Sequence, residues 1–164
     1  MSFSPFPKYK FRALTDISPK FLRGAGIELL LLDLDNTIAP YGQTEPSREV
    51  LEWARALAAS GTALYIVSNS RRSGRVAEYS RALGIPYVNR AKKPFPRKPR
   101  EVMTELRTPA AKTALVGDQI YTDTLAANLA GVSSILVKPI RLSNIFLAIR
   151  YGLETPFRIW GRTL

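Results

Sequence analysis

The chain contains no cysteine and no histidine. Without cysteine it forms no disulfide and offers no thiol nucleophile. Zinc sites in proteins normally draw on cysteine or histidine, so both absences argue against zinc. A metal bound here would be a hard cation on oxygen ligands, with Mg²⁺ as the first candidate. Proton transfer in any reaction would fall to aspartate, glutamate, lysine or tyrosine.

Long apolar runs are also absent. None approaches the roughly 20 residues of a membrane span, and the N-terminus lacks the apolar core of a secretory signal peptide. Together with the lack of cysteine, this predicts a cytoplasmic protein.

Acidic residues are scarce, 13 against 24 basic ones, which gives a net charge of +11. Residues 71–107 alone hold eleven lysines and arginines against three glutamates. Such a field favours an anionic partner, namely a phosphorylated substrate, an acidic lipid surface or nucleic acid. The alternative is a solvated basic face that only aids solubility.

The length of 164 residues, with 46% hydrophobic residues, predicts one domain spanning 1–164. Residues 1–26 form a basic and aromatic N-terminal arm. Residues 138–164 form a C-terminal segment, with a helix over 144–151 capped by Ser143 and then a tail. Both segments are candidates for peripheral membrane contact, but packing on the sheet is the preferred reading for the helix.

Residues 29–37, Leu-Leu-Leu-Leu-Asp-Leu-Asp-Asn-Thr, organise the chain. An uninterrupted apolar run predicts a strand buried on both faces, as in a parallel sheet covered by helices. Asp33 and Asp35 follow at the carboxyl end of that strand, where open α/β sheets bind ligands. Two acids this close repel unless a cation or a proton lies between them, which suggests a metal-assisted site.

Strands and helices alternate along the rest of the chain, which predicts an α/β fold with a doubly wound, mainly parallel sheet between two helical layers. The strands are expected over residues 27–32, 63–67, 85–88, 113–116 and 132–137. The helices are expected over residues 47–60, 73–83, about 100–106 and 120–130.

Polar residues follow successive strands at four places. These are Asp33 with Asp35, Ser68-Asn69, Lys92-Lys93, and Asp118 with Asp123. Each group alone is weak evidence of a functional site, since an Asp-x-Asp pair also begins EF-hand loops and a serine after a strand is usually a helix cap. Ile38 stands where an EF-hand needs glycine, which excludes that reading. The order of the four groups along the chain and their placement after strands indicate a functional site far more specifically than any single group does.

With these motifs the chain resembles the haloacid dehalogenase (HAD) superfamily of phosphohydrolases. Residues 33–37, Ser68, Lys93-Pro94 and residues 117–123 match its four motifs. The residues of the first and fourth motifs, with Glu-Thr-Pro-Phe at 154–157, are similar to those of the short YqeG-type subgroup, which is related to mitochondrial phosphatidylglycerophosphate phosphatases. The resemblance implies a three-layer fold and a Mg²⁺-dependent phosphatase.

The resemblance also implies roles, and these agree with phosphoryl-transfer chemistry. Asp33 would attack phosphorus and form an aspartyl-phosphate. Asp35 would protonate the leaving oxygen and then activate the water that releases phosphate. Mg²⁺ would be held by Asp33, the main-chain carbonyl of Asp35, Asp118 and, as ligand or supporting acceptor, Asp123.

Ser68 and Asn69 would hold phosphate oxygens, and a lysine would offset the charge of the phosphoryl group. Lys92, Lys93 and Lys98 share one loop, and both Lys93 and Lys98 precede proline. Lys93 is preferred because it follows the short strand more closely, with Lys98 as the alternative.

The spacing of the motifs leaves no room for the cap domain that many HAD enzymes carry. Asp33 and Ser68 are 35 residues apart, and Ser68 and Lys93 are 25 apart. An open site excludes water poorly by itself, which suits a large substrate or a surface that closes over it.

These observations favour a phosphatase that converts phosphatidylglycerophosphate to phosphatidylglycerol at a membrane surface. One alternative is a phosphatase of soluble monoesters, such as nucleotides, sugar phosphates or phosphoproteins. Another is a basic nucleic-acid-binding protein that retains the fold, against which the four intact motifs argue.

Overall fold

The structure is a computed structural model that describes residues 4–141, 145–159 and 162–163. Side chains are described for residues 4–141 and 148–158. The strands within these ranges are β1 Tyr9–Phe11, β2 Leu29–Leu32, β3 Ala63–Val67, β4 Tyr87–Val88, β5 Thr113–Gly117, β6 Ser133–Val137 and β7 Arg162–Thr163. The α-helices are α1 Pro19–Gly24, α2 Arg48–Ala59, α3 Ser73–Leu83, α4 Arg97–Glu105, α5 Leu125–Ala130 and α6 Ile145–Ile159.

The seven strands form a single sheet in the order β4-β3-β2-β5-β6-β1-β7, and every strand pair in it is parallel. The four leucines of β2 are fully buried near its centre. Leu30 and Leu32 pack with side chains of α1, α2 and α3, whereas Leu29 and Leu31 pack with those of α4 and α5. The predicted fold, a parallel sheet between two helical layers, is confirmed.

Local sequence signals account for several element boundaries. The hydroxyl oxygen of Ser47 accepts a hydrogen bond from the Val50 N–H and begins α2. Val50, Trp53 and Leu57 then form the buried stripe of that helix. The predicted ranges for β3 and α3 agree with the structure, and α3 ends at Gly84 in the left-handed conformation.

Five strands were expected, and β1 and β7 were missed. β1 lies inside the segment predicted as an N-terminal arm, and it pairs with β6 from Tyr9 opposite Ile135 to Phe11 opposite Val137. It is three residues long and only partly buried, so it lacks the apolar run that marks the central strands. The arm therefore contributes a strand to the sheet.

The prediction that the C-terminal helix ends at residue 151 was wrong, because α6 runs from Ile145 to Ile159. Pro156 lies inside it, where sequence rules expect a break. The fully buried Glu154 accepts an ion-paired hydrogen bond of 2.6 Å from Arg158, which holds this last part of the helix. The predicted cap Ser143 lies outside the described residues.

Residues 33–93 are described throughout, and they contain only α2, β3, α3, β4 and their connecting loops. This confirms the predicted absence of a cap domain between the first three motifs.

Among the described helices, none has both the length and the apolar character needed to cross a membrane.

Candidate active site

Parallel strands bring their carboxyl ends to one edge of the sheet, and the predicted site residues meet there. Asp33 follows β2 and donates its main-chain N–H to Val116 of β5, at 2.9 Å. Ser68 follows β3, and Asp118 follows β5. Lys93 arrives on the loop after the short strand β4. The pairing of β2 with β3 and β5 thus places three of the four motifs side by side.

Three buried carboxylates converge at this edge. One oxygen from each of Asp33, Asp118 and Asp123 lies within 4.8 Å of the others. The Lys93 ammonium reaches into the group, 2.6 Å from Asp33 Oδ1 and 2.7 Å from Asp123 Oδ1. All four residues are at least nine-tenths buried. One buried cation therefore faces three buried acids.

Burial, together with this imbalance of charge, shifts the pKa values of the cluster. Burial raises the pKa of Asp33 to about 7, with Lys93 opposing the rise and Asp123 adding to it. Burial, then Asp123 and Asp33, also raises the pKa of Asp118 well above its usual value. Burial alone would lower the pKa of Lys93, but the two facing carboxylates outweigh it and keep the pKa above the ordinary lysine value. With its carboxyl groups ionised, the cluster would carry fewer positive charges than negative ones.

The donor set fits a divalent cation. Three ionised carboxylates and one ammonium leave two negative charges, which such a cation would balance. Among the described residues, the buried Oδ1 of Asp118 has no hydrogen-bond partner, and a buried acceptor of this kind needs a proton or a cation. All the candidate donors are oxygens, the ligands that hard cations take.

The segment after β5 is shaped to bring Asp123 into the cluster. A π-helical turn over Ile120–Thr124 leads into α5, and such turns are frequent at functional sites. Asp123 accepts a hydrogen bond of 3.2 Å from the Gln119 N–H. A Cβ added at Gly117 would overlap the Asp123 carboxyl group, so this approach requires glycine.

Ser68 and Asn69 border the cluster but differ in what they contact. The Ser68 hydroxyl oxygen accepts a bond of 3.0 Å from the Ser70 N–H, which leaves the hydroxyl hydrogen free to donate. Both ends of the Asn69 amide bond to the main chain of Lys93, at 2.8 and 3.0 Å. Asn69 thus fixes the loop that carries the lysine, and its predicted contact with phosphate stays a prediction.

Asp35 does not join the three acids. Its carboxylate forms an ion pair with Arg75, whose side chain is 9% exposed against 18% for Asp35. Arg75 also donates to the carbonyls of Gln43, at 2.7 Å, and Pro40, at 2.9 Å. These contacts anchor the loop after the first motif to α3. They hold the partly exposed Asp35 at the solvent-facing entrance of the site, which is called the mouth below.

The structure separates the candidate lysines. Lys93 lies in the acidic cluster, whereas Lys98 pairs with Glu101 on the exposed side of α4. Lys92 is exposed.

Sequence reasoning missed the contribution of α6. Arg158 donates to the main-chain carbonyl of Asp118 and to Glu154. Glu154 accepts the Tyr121 N–H at 3.3 Å, and Arg150 donates to the Gln119 side chain at 2.6 and 2.8 Å. The four-residue spacing of Glu154 and Arg158 was a usable sign of a helical pair.

Two further residues at the mouth were also missed, Arg75 and Tyr41. Burial and the nearby Asp35, Asp118 and Asp33 raise the pKa of Tyr41 to about 12, so its hydroxyl keeps its proton. No local spacing links either residue to the first motif.

The sequence profile of the family described as mitochondrial PGP phosphatase matches residues 4–141. The chain belongs to this family. The match covers the sheet from β1 to β6 and every residue of the acidic cluster. A curated relative, the probable phosphatase YqeG of Bacillus subtilis, is 29% identical over 143 residues, which are 87% of this chain and 82% of the relative.

Solved structures show the same fold. The 3-deoxy-D-manno-octulosonate 8-phosphate phosphatase of Yersinia pestis has a TM-score of 0.56 at 21% identity, covering 73% of this chain and 69% of its own. The cobalt-bound form of the corresponding phosphatase from Haemophilus influenzae has a TM-score of 0.51 at 14% identity, covering 77% and 75%. The family member described here is a phosphoric monoester hydrolase of the HAD superfamily.

Proposed function

We propose that the protein is a Mg²⁺-dependent phosphatase that converts phosphatidylglycerophosphate to phosphatidylglycerol at a membrane surface. The observation that best supports this reaction is that Asp33, Asp118, Asp123 and Lys93 lie together at one edge of the sheet. The family description supports the substrate. The net charge of +11, and the absence of a cap domain within the described residues 33–93, suit an anionic lipid.

In the first step, a carboxylate oxygen of Asp33 forms a bond to phosphorus as the bond from phosphorus to the glycerol oxygen breaks. The electron pair of the broken bond stays on that oxygen, which takes a proton from the carboxylic acid form of Asp35. Phosphatidylglycerol leaves, and Asp33 holds the phosphoryl group as an aspartyl-phosphate.

In the second step, Asp35, now a carboxylate, takes a proton from water as the water oxygen bonds to phosphorus. The bond between phosphorus and the Asp33 oxygen breaks, which returns the Asp33 carboxylate and releases inorganic phosphate. Asp35 is protonated again and ready for another cycle. Its place at the mouth, outside the acidic cluster, suits contact with both the leaving oxygen and the incoming water.

Mg²⁺ held by the carboxylates of Asp33, Asp118 and Asp123 and by the main-chain carbonyl of Asp35 would supply screening between the anionic nucleophile and the anionic phosphate. Lys93 contributes to the same screening from its place beside Asp33. The hydroxyl of Ser68 is free to donate to a phosphate oxygen.

The test compares phosphate release from phosphatidylglycerophosphate and from a panel of nucleotides, sugar phosphates and phosphopeptides, with and without Mg²⁺. The lipid should be preferred, and turnover should require the cation. Asp33→Asn should lower turnover by about 10⁴-fold while the circular dichroism spectrum is unchanged. Normal turnover in that variant would remove the mechanism, and preference for a soluble ester would remove the lipid assignment.

A further inference from the structure

Four basic residues lie on the two loops that border the acidic cluster. Arg71 and Arg72 lie on the loop after β3, and Arg90 and Lys92 lie on the loop after β4. All four are exposed, and within the described part of the chain none of their side chains forms an ion pair. These four residues are called the basic rim below.

The two loops of the basic rim are hydrogen-bonded to each other and to the site. The Arg90 N–H donates to the Ser70 carbonyl at 3.3 Å, and the Ala91 N–H donates to the Ser68 carbonyl at 2.9 Å. Lys93 turns inward to Asp33. Because its neighbour Lys92 is exposed, the basic rim lies at the edge of the active site.

Phe95 stands on the same loop, between two prolines, with its side chain 67% exposed. Its N–H donates to the Lys92 carbonyl at 3.0 Å, which closes a turn. The ring lines a groove of about 1010 Å³ together with Arg90 and Lys92, and Glu101 and Glu105 lie on the same groove. A single exposed apolar residue is common on protein surfaces, but an exposed phenylalanine on the same loop as two exposed basic residues matches the chemistry of a membrane interface, with anionic headgroups above an apolar layer.

We propose that Phe95 and the basic rim dock the protein on an anionic lipid bilayer. The ring enters the interface, and the four cations face the headgroups. The inference rests on the proposed function, since docking here would bring the mouth of the site to a phosphate at the bilayer surface. A single-stranded nucleic acid fits less well, because such strands are held by successive aromatic platforms, and Phe95 forms no ring contact with another described aromatic residue.

Sedimentation with vesicles tests the docking surface directly. The full chain should bind vesicles of phosphatidylcholine and phosphatidylglycerol, should not bind vesicles of phosphatidylcholine alone, and should be released by salt. Phe95→Ser should weaken binding about tenfold. The double variant Arg90→Gln/Lys92→Gln should weaken it about 25-fold, since each basic residue contributes about fivefold.

Two matched controls locate the effect. Arg55→Gln removes an exposed cation from α2 that forms no ion pair among the described residues, and it should bind more than five times as tightly as the double variant. Leu153→Ser removes an apolar side chain on α6 that is 64% exposed, close to the exposure of Phe95. It should bind as the unmodified chain does.

Three results would overturn the docking surface. They are loop variants that bind vesicles normally, loss of binding in Leu153→Ser instead, and preference of the unmodified chain for single-stranded RNA over anionic vesicles. Asp33→Asn separates this inference from the proposed function, because it should bind vesicles normally without turning over substrate. If the protein binds vesicles but hydrolyses no phosphate ester, the docking surface stands and the proposed function is wrong. If it hydrolyses phosphate esters but does not bind vesicles, the phosphatase activity stands and the docking surface is wrong.

Discussion

Asp33 and Asp35 stand two residues apart in the sequence but in different surroundings. Asp33 lies in a buried cluster with two other acids and one lysine. Asp35 lies at the mouth, where Arg75 pairs with it and no second acid among the described side chains shares that cation. The fold thus gives one carboxylate a site suited to a metal ion and nucleophilic attack, and the other a site suited to proton transfer.

The two aspartates are held in place by different parts of the fold. Asp33 is fixed by the sheet, since its N–H bonds to β5. Asp35 depends on contacts from far along the chain, since Arg75 lies 40 residues away on α3. Changes to the buried cluster should therefore affect turnover more than changes at the mouth. Three predictions on turnover test this in order of decreasing effect, and a fourth concerns the stability of the buried cluster.

Replacing Lys93 by methionine should lower turnover by about 10³-fold. The change leaves three buried acids without their cation, and an anionic phosphate would meet them unscreened. The measurement is kcat/KM on a soluble phosphate ester.

Lys98→Met is the matched control, because its exposed pair with Glu101 is of a kind that contributes little. It should retain full turnover. If Lys98→Met were the damaging change, the assignment of the lysine would have to be reversed.

Asp35→Asn should lower turnover by about 10²-fold, since general acid–base catalysis is lost while the nucleophile remains. Its binding of a divalent cation, measured by isothermal titration calorimetry, should be unchanged because the side chain lies outside the acidic cluster. By contrast, Asp33→Asn should weaken both. Loss of cation binding in Asp35→Asn would contradict the separation of the two aspartates.

Arg75→Gln should lower turnover about tenfold, the effect of one lost charge-assisted hydrogen bond to Asp35. Asp35 would then be held less well, so kcat on a soluble phosphate ester should fall while KM changes little. Recovery of kcat in Arg75→Lys would support a positioning role. The exposed neighbour Arg72 is the comparison, and Arg72→Gln should leave kcat on the soluble ester unchanged.

The metal-free protein should lose stability as pH rises from about 4 to about 7. The pKa of Asp33 is raised from 3.8 to about 7, so the folded state holds a proton that the unfolded state has released over this range. The raised pKa of Asp118 acts in the same direction. The Tm from differential scanning calorimetry should fall by a few degrees, and added Mg²⁺ should reduce the fall.

Asp33→Asn provides the check on this pH effect, because asparagine does not titrate. Its Tm should depend less on pH over the same range. An unchanged slope in this variant would mean that other groups cause the effect.

Most of the fold could be predicted because its strong signals are local. The leucines of β2 form an unbroken apolar run, and α2 shows a serine cap followed by a helical stripe. β1 and the second half of α6 could not be predicted in this way. β1 exists through its pairing with β6, and α6 continues past Pro156 with a buried ion pair that sequence rules do not count.

The residues of the candidate site fall into the same two groups, those that local sequence signals predict and those that they do not. Asp33, Ser68, Lys93 and Asp118 follow strands that the sequence locates, and parallel strands bring such residues to one edge. Arg75, Glu154 and Arg158 reach the site from helices distant in sequence. Their contacts depend on how those helices pack, which no spacing within the motifs encodes.

The sequence by itself determined five of the seven described strands, the polar residues at their ends and the shortage of space for a cap domain. Only the tertiary structure decided which acids share a cation, which lysine is buried and which carboxylate meets Arg75. The reason is physical: an apolar run marks a strand through local burial, whereas ion pairing and proton affinity depend on distances between side chains that the folded chain alone brings together.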